Sequence, residues 1–103
     1  MNIPESFECA GHIIKVEMHD KLSDNRYGAF YDAPGVIKIA RSLDIEEYDK
    51  IELTKQQMMN TFWHEYFHCC QFFAGEKYSE TQAHTYANFM CEFLKTKKDN
   101  LPF

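Results

Sequence analysis

The chain has 103 residues, a length typical of one domain, and 45% of them are hydrophobic and 16% aromatic. This apolar content is sufficient for a packed core and argues against disorder. The formal net charge of -5 argues against the phosphate backbone of a nucleic acid as the main partner. We therefore expect residues 1–103 to form a single domain that does not bind nucleic acid directly.

Cysteine spacing and hydropathy indicate in which compartment of the cell the protein is found. The cysteines form no CxxC pair, and we expect them to be small buried apolar residues whose thiols stay reduced. No apolar run approaches the roughly 18 residues of a membrane span, and the first residues lack the basic and apolar regions of a signal peptide. We expect a cytoplasmic protein that has no membrane partner. The cysteines are Cys9, Cys69, Cys70 and Cys91.

The first part of the chain is predicted to form β-structure. Residues 9–20 alternate partly between apolar and polar and are rich in β-branched residues, which predicts a strand after an irregular lead-in over 1–8. Further strands are predicted over 26–32 and 36–40, with turn residues between the segments. Two turns that join three strands favour an antiparallel meander. Residues 42–52 are acidic and mixed, and they fit a loop or a short helical turn equally well.

Two helices are predicted in the second part of the chain. Residues 54–57 (Thr-Lys-Gln-Gln) have the form of a capping box, and helical periodicity continues to Ala74, where Gly75 is a natural terminator. Residues 79–82 (Ser-Glu-Thr-Gln) repeat the capping pattern and open a helix that runs to about Lys95. The predicted fold class is α+β, with the three-stranded meander packed on both helices.

The first of these helices carries the motif His-Glu-x-x-His at positions 64–68. Residues four apart lie on one face of a helix, so His64 and His68 can offer imidazole nitrogens to one ion at the roughly 2.0–2.1 Å that zinc requires. Glu65 is rotated by about 100° from His64, which suits a base that contacts a water molecule without ligating the metal. The motif therefore predicts a zinc site.

A catalytic zinc site usually has three protein ligands, so one more ligand must come from outside the motif. Glu80 and His84 are the candidates, since a turn at Gly75 folds the second helix back along the first. Glu80 is favoured because its carboxylate completes the set without quenching the Lewis acidity of the metal. His84 remains an alternative ligand or a partner of the site. Cys69 and Cys70 lie on diverging faces of the helix and are not expected to bind metal.

With these residues placed, the chain resembles the gluzincin branch of HExxH metallopeptidases, and most of all the compact ImmA/IrrE-type proteins of bacteria, mobile elements and phages. The similarity lies in His64-Glu65-Tyr66-Phe67-His68 and in the segment 80–90, which resembles that family's Glu-x-x-Ala-x-x-Phe-Ala helix. The predicted strands also resemble its meander.

The resemblance implies a minimal zincin-like domain with zinc ligands at His64, His68 and Glu80 and a general base at Glu65. It also implies a strand edge, at 36–39, where an extended peptide substrate adds by β-augmentation.

The sequence thus predicts a zinc metallopeptidase that hydrolyses peptide bonds with a metal-activated water and Glu65 as the base. Tyr78 and His84 are candidate donors to the transition state. The alternative is a catalytically silent zinc-containing module that binds a protein partner, in which His84 as a fourth ligand would close the site. Hydrolysis of a non-peptide substrate is a third option.

Overall fold

A computed structural model describes residues 2–46 and 49–102, in which strands fill the first half of the chain and two helices the second. A short 3₁₀ turn lies at Ser23–Asn25. The predicted α+β class is confirmed. The strands and helices are β1 Ser6–Cys9, β2 His12–His19, β3 Gly28–Tyr31, β4 Val36–Ala40, β5 Ser42–Asp44, β6 Lys50–Glu52, α1 Lys55–Ala74 and α2 Glu80–Thr96.

Helix α1 begins and ends where local chemistry predicts. The Gln57 N–H donates to Thr54 Oγ1 at 3.0 Å, and the Thr54 N–H donates to Gln57 Oε1 at 2.8 Å, which completes the capping box. Gly75 ends the helix in the left-handed region with φ 73°, and its N–H donates to the last carbonyls. Both predicted ends are confirmed.

Helix α2 packs along α1 through a row of small side chains. Ser79 caps it by accepting a hydrogen bond from the Gln82 N–H at 3.2 Å. Ala83, Ala87 and Cys91 are buried at every fourth position, so the two helices approach closely. In the described part of the chain, neither helix combines the length and the apolarity that a membrane crossing needs.

The main sheet differs from the predicted meander. Its strand order is β1-β2-β4-β3, and β2 pairs with β4 in parallel, whereas the other two pairings are antiparallel. The three-stranded antiparallel meander is therefore wrong. Strand β4 is the most apolar, with all of its residues except Lys38 buried, so it takes an interior position and the less buried β3 lies at the edge.

The first strand of this sheet falls where an irregular lead-in was predicted. Strand β1 overlaps residues 1–8 and pairs with β2 through a tight turn at Ala10 and Gly11, whose φ angles are 50° and 80°. Positive φ at both turn positions matches the right-handed twist of the two strands. Alanine rarely adopts this conformation, so the residue types did not signal the hairpin.

Residues 42–52 form neither a loop nor a helical turn but a second hairpin, β5–β6, although positions 47 and 48 of that prediction lie outside the described residues. The buried Ser42 hydroxyl donates to the Asp20 carbonyl at 2.7 Å, and Lys50 Nζ lies 3.1 Å from Asp20 Oδ1. These contacts tie the hairpin to the end of β2. These contacts leave no periodic pattern in the sequence because they join residues far apart in the chain.

The core between the main sheet and α1 determines which face of α1 turns toward the sheet. Ile14, Ile37 and Ile39 of the sheet pack with Phe62 and Cys69 of α1, and all five are buried. Since these apolar residues face the sheet, the stripe of α1 that carries the histidine motif turns toward β3 and α2.

Strand β3 lies directly over the motif because Gly28 has no side chain. A Cβ atom at this position would overlap the Thr61 methyl group and would lie 3.3 Å from Glu65 Cγ and 3.0 Å from the Lys38 carbonyl oxygen. This close approach covers Glu65 with the edge of the sheet.

Candidate metal centre

The two motif histidines lie side by side on α1. The ring centroids of His64 and His68 are 4.9 Å apart, with the planes at 75° to each other. The His68 side chain is 5% exposed and that of His64 is 19% exposed. The four-residue spacing therefore presents both rings to one side of the helix, as predicted.

The first residue of α2 meets both rings. Glu80 Oε2 lies 3.2 Å from His64 Nε2, and Glu80 Oε1 lies 2.7 Å from His68 Nε2. One ligand atom from each residue falls within a common span of 4.8 Å. The turn that ends α1 at Gly75 and the Ser79 cap place this carboxylate at the start of α2, so the structure brings the three predicted ligands together.

His84 and the cysteines do not join this cluster. Among residues 2–46 and 49–102, only His64, His68 and Glu80 meet the spacing of a metal site. His84 is exposed and borders the same pocket. The fourth ligand that would close the site is therefore not in place, and one side of the cluster stays open to the pocket.

The buried nitrogen of His68 indicates that this cluster suits a cation. The His68 Nδ1 atom lies 2.9 Å from Gln71 Oε1, so Nδ1 carries the hydrogen and donates it. Nε2 then presents a lone pair. Although Nε2 is 2.7 Å from Glu80 Oε1, the two are not aligned as a hydrogen bond, and Nε2 is a buried atom with no hydrogen-bond partner in the described residues. Two acceptors that lie this close without a hydrogen between them are compatible with a cation bound to both.

One of the ligand separations matches the coordination geometry of zinc, and the others lie on either side of it. Metal–ligand distances of about 2.0–2.1 Å in a tetrahedron place neighbouring ligand atoms roughly 3.3 Å apart. The separation between His64 and Glu80 is 3.2 Å, that between His68 and Glu80 is 2.7 Å, and the span that holds all three ligand atoms is 4.8 Å. Two imidazoles and one carboxylate are also a ligand set that zinc uses in catalytic sites.

The protonation of His64 suits a ligand. Burial lowers the pKa of this imidazole, the Glu80 carboxylate partly opposes that effect, and the neighbouring His68 ring adds to the lowering. A lowered pKa keeps the ring neutral near pH 7, and a neutral ring offers a lone pair to a cation.

Glu65 lies next to the cluster and is nearly enclosed. Its surface is 8% exposed, and desolvation by burial raises the pKa of its carboxyl to about 7. The neighbouring His68 ring works against this rise, and the Glu80 carboxylate adds to it. A carboxyl with a pKa near neutrality is suited to accept and release a proton.

The site opens into a pocket of about 850 Å³ between β3, α1 and the start of α2. A pocket of this volume is within the range of small-ligand and peptide clefts. Tyr78, on the connection between the helices, stacks on the His68 ring with the centroids 4.8 Å apart and the planes at 21°. The lining residues are Arg26, Tyr27, Gly28, Ala29, Phe30, Gln57, Asn60, Thr61, His64, Glu65, His68, Tyr78, Glu80 and His84.

The strand edge expected at 36–39 is not available. Strand β4 is paired on both sides, with β2 in parallel and with β3 in antiparallel orientation, so its backbone cannot accept another strand. Strand β3 instead forms the border of the sheet beside the pocket. The assignment of the edge to β4 was wrong because it assumed that chain order equals sheet order.

Gln71 is a site residue that the sequence analysis did not single out. It is buried, and it contacts His68 from one turn further along α1. Its position three residues after His68 places both on one face, and this spacing is the signal that would have found it.

Comparison with known proteins adds no assignment: no protein-family model matches the chain, and no curated protein and no solved structure gives a significant match.

Proposed function

We propose that this protein is a zinc-dependent peptidase of the gluzincin type, with a minimal zincin-like fold and a relationship to the ImmA/IrrE-type family. The observation that carries the proposal is the convergence of His64, His68 and Glu80 beside a buried Glu65, on the wall of an open pocket. The ligands span two helices, so they come together only in the folded chain.

In this proposal the three ligands hold one zinc ion and leave a coordination position toward the pocket. When bound there, zinc supplies Lewis acidity that acidifies water and polarises a carbonyl group. The rings of His64 and His68 would each supply a nitrogen lone pair, and the Glu80 carboxylate would supply an oxygen ligand. The lowered pKa of His64 and the unpartnered Nε2 of His68 support these roles.

Glu65 acts as the general base and acid. Its carboxylate accepts a proton from the attacking water and then delivers that proton to the leaving amine. Burial under β3 holds the side chain in place and excludes bulk water from one side of it. Burial raises the pKa of this carboxyl above its ordinary value, which makes the carboxylate a stronger base toward the attacking water.

The substrate is proposed to be an extended peptide that pairs with the outer edge of β3. Gly28, Ala29 and Phe30 of this strand line the pocket, so a peptide added there would pass across the ligand cluster. Main-chain hydrogen bonds along such an edge bind peptides with little dependence on side chains.

Tyr78 and His84 are the proposed hydrogen-bond donors to the developing oxyanion. Both line the pocket. Burial raises the pKa of the Tyr78 hydroxyl, with Asp32 and Glu65 adding to the effect, so the hydroxyl keeps its proton and can donate it in a hydrogen bond.

We place the protein in the cytoplasm, where its free cysteines would remain thiols.

Cleavage of a peptide library by the zinc-loaded chain tests the proposal. We expect Glu65→Gln to lower turnover by at least about 100-fold, because the base is lost while the shape is kept. The zinc content should not change, since Glu65 is not a ligand. Glu92→Gln, the same change at an exposed position of α2, should cleave like the wild type. Equal turnover in all three proteins would refute the assignment.

A further inference from the structure

The amide of Gln71 supports the metal-facing histidine from within the same helix. Gln71 follows His68 by one turn of α1, and its Oε1 atom lies 2.9 Å from His68 Nδ1. Both side chains are buried, with Gln71 5% exposed. The contact therefore lies in a region of low dielectric constant, where a hydrogen bond is strong and the loss of one partner is costly.

This hydrogen bond determines which nitrogen of His68 carries the hydrogen. An amide oxygen only accepts, so the hydrogen must be on Nδ1. Nε2 is then free of hydrogen, and Glu80 Oε1 lies 2.7 Å from it without the alignment of a hydrogen bond. In the opposite tautomer, Nε2 would hold a hydrogen and could not bind a cation. The lone pair of Nδ1 would then meet a lone pair of the Gln71 amide oxygen, which is unfavourable.

His64 has no comparable support. Within the described residues its hydrogen-bond contact joins Nε2 to Glu80 Oε2 at 3.2 Å. Its Nδ1 atom forms no hydrogen bond there. Its side chain is also more exposed than that of His68. The two ligands therefore differ: the His68 ring is fixed in tautomer and orientation, and the His64 ring is not fixed in this way.

We propose that Gln71 is a positioning residue, which holds His68 in the Nδ1–H tautomer and fixes its ring for metal binding. The inference rests on the proposed zinc site but not on peptide hydrolysis. A hydrogen-bond acceptor on the ring nitrogen that does not bind the metal raises the basicity of a ligating histidine. A carboxylate acceptor does so more strongly than a neutral amide. We infer that the amide gives a site of intermediate affinity, which a carboxylate at the same position would tighten.

Zinc affinity at fixed pH, measured by competition with a chromophoric chelator, tests this role. Gln71→Leu keeps a similar volume but removes the acceptor, and we expect it to weaken zinc binding by about 10–100-fold. Gln71→Glu restores an acceptor and should bind zinc at least as tightly as the wild type. The matched control is Gln56→Leu, at an exposed position in the first turn of the same helix, and it should have wild-type affinity.

The tautomer itself is visible in a long-range ¹H–¹⁵N spectrum of the zinc-free protein. At a pH where the ring is neutral, we expect His68 to show a protonated Nδ1 and an unprotonated Nε2 in the wild type and in Gln71→Glu. This measurement needs neither zinc nor activity, so an Nε2–H tautomer in the wild type would overturn the role of Gln71 even if Gln71→Leu fails to fold.

The outcomes separate the two proposals. An Nε2–H tautomer for His68 in the wild type, or equal zinc affinity in Gln71→Leu and the wild type, would overturn the role of Gln71 and leave the peptidase proposal standing. Zinc binding and tautomer as expected, together with no cleavage of any peptide, would retain the role of Gln71 and refute the peptidase. A wild-type chain that binds no zinc would overturn both.

Discussion

The Oε1 atom of Glu80 lies 2.7 Å from Nε2 of His68, although the two residues lie on different helices. This contact depends on the Gly75 turn and the Ser79 cap, which together reverse the chain and start α2 at Glu80. The second oxygen of the same carboxylate reaches His64 at 3.2 Å. One side chain thus connects both rings of the motif.

Removal of the Glu80 carboxylate should therefore cost zinc binding. We expect Glu80→Ala to lose stoichiometric zinc after dialysis at a zinc concentration that saturates the wild type, because two ligands hold the ion less tightly than three. Glu76→Ala, an exposed change on the connection between the helices, serves as the control. Zinc content is measured by elemental analysis, and full retention by Glu80→Ala would exclude Glu80 as a ligand.

Zinc should stabilise the folded chain through the same site. A ligand at 100 times its dissociation constant stabilises by about 2.7 kcal/mol, so added zinc should raise the unfolding midpoint of the wild type and a chelator should reverse the rise. His64→Ala should lose most of this response. A zinc-dependent shift of equal size in His64→Ala would place the bound ion elsewhere in the chain.

The close approach of β3 to α1 predicts that Gly28 tolerates no side chain. A methyl group here meets Thr61 and the Lys38 carbonyl oxygen, and the strand or the helix must move. Gly28→Ala should destabilise the protein by about 1–3 kcal/mol, the cost of overpacking. Urea unfolding measures the loss, and Thr61→Ser in the same chain should recover part of it because the clashing methyl group is gone. Wild-type stability in Gly28→Ala would contradict the packing of β3 over Glu65.

The capping box at the start of α1 should contribute measurably to stability. Thr54→Ala removes the acceptor for the Gln57 N–H, which lies 3.0 Å from Thr54 Oγ1, and should cost about 1 kcal/mol. Thr54→Ser keeps the oxygen and should cost much less. Urea unfolding curves of the two variants provide the comparison, and equal losses would show that the methyl group, not the hydrogen bond, matters.

The helices and the site were predictable because their determinants are local. The cap at Thr54, the stop at Gly75 and the cap at Ser79 each depend on residues within one turn. Once both helices were placed, the distance along the chain from the motif to Glu80 left few ways to avoid a contact. Spacing thus predicted that Glu80 or His84 would complete the cluster, and the choice of Glu80 depended on the ligand chemistry of a carboxylate.

The sheet was not predictable in the same way because strand order depends on contacts between distant residues. The burial of β4 on both faces put it between β2 and β3, and this placement moved the free edge to β3. The hairpin of β1 was hidden by an alanine at positive φ, and β5–β6 is held by contacts such as that of Lys50 with Asp20. None of these contacts leaves a periodic signal in the sequence.

The central claim is that His64, His68 and Glu80 bind one zinc ion and leave a position open. Zinc-edge X-ray absorption on the zinc-loaded chain tests it most directly. The account predicts a first shell of nitrogen and oxygen at about 2.0–2.1 Å, with the multiple-scattering pattern of two imidazoles and no sulfur. A sulfur shell at about 2.3 Å, or the signature of three or four imidazoles, would contradict it.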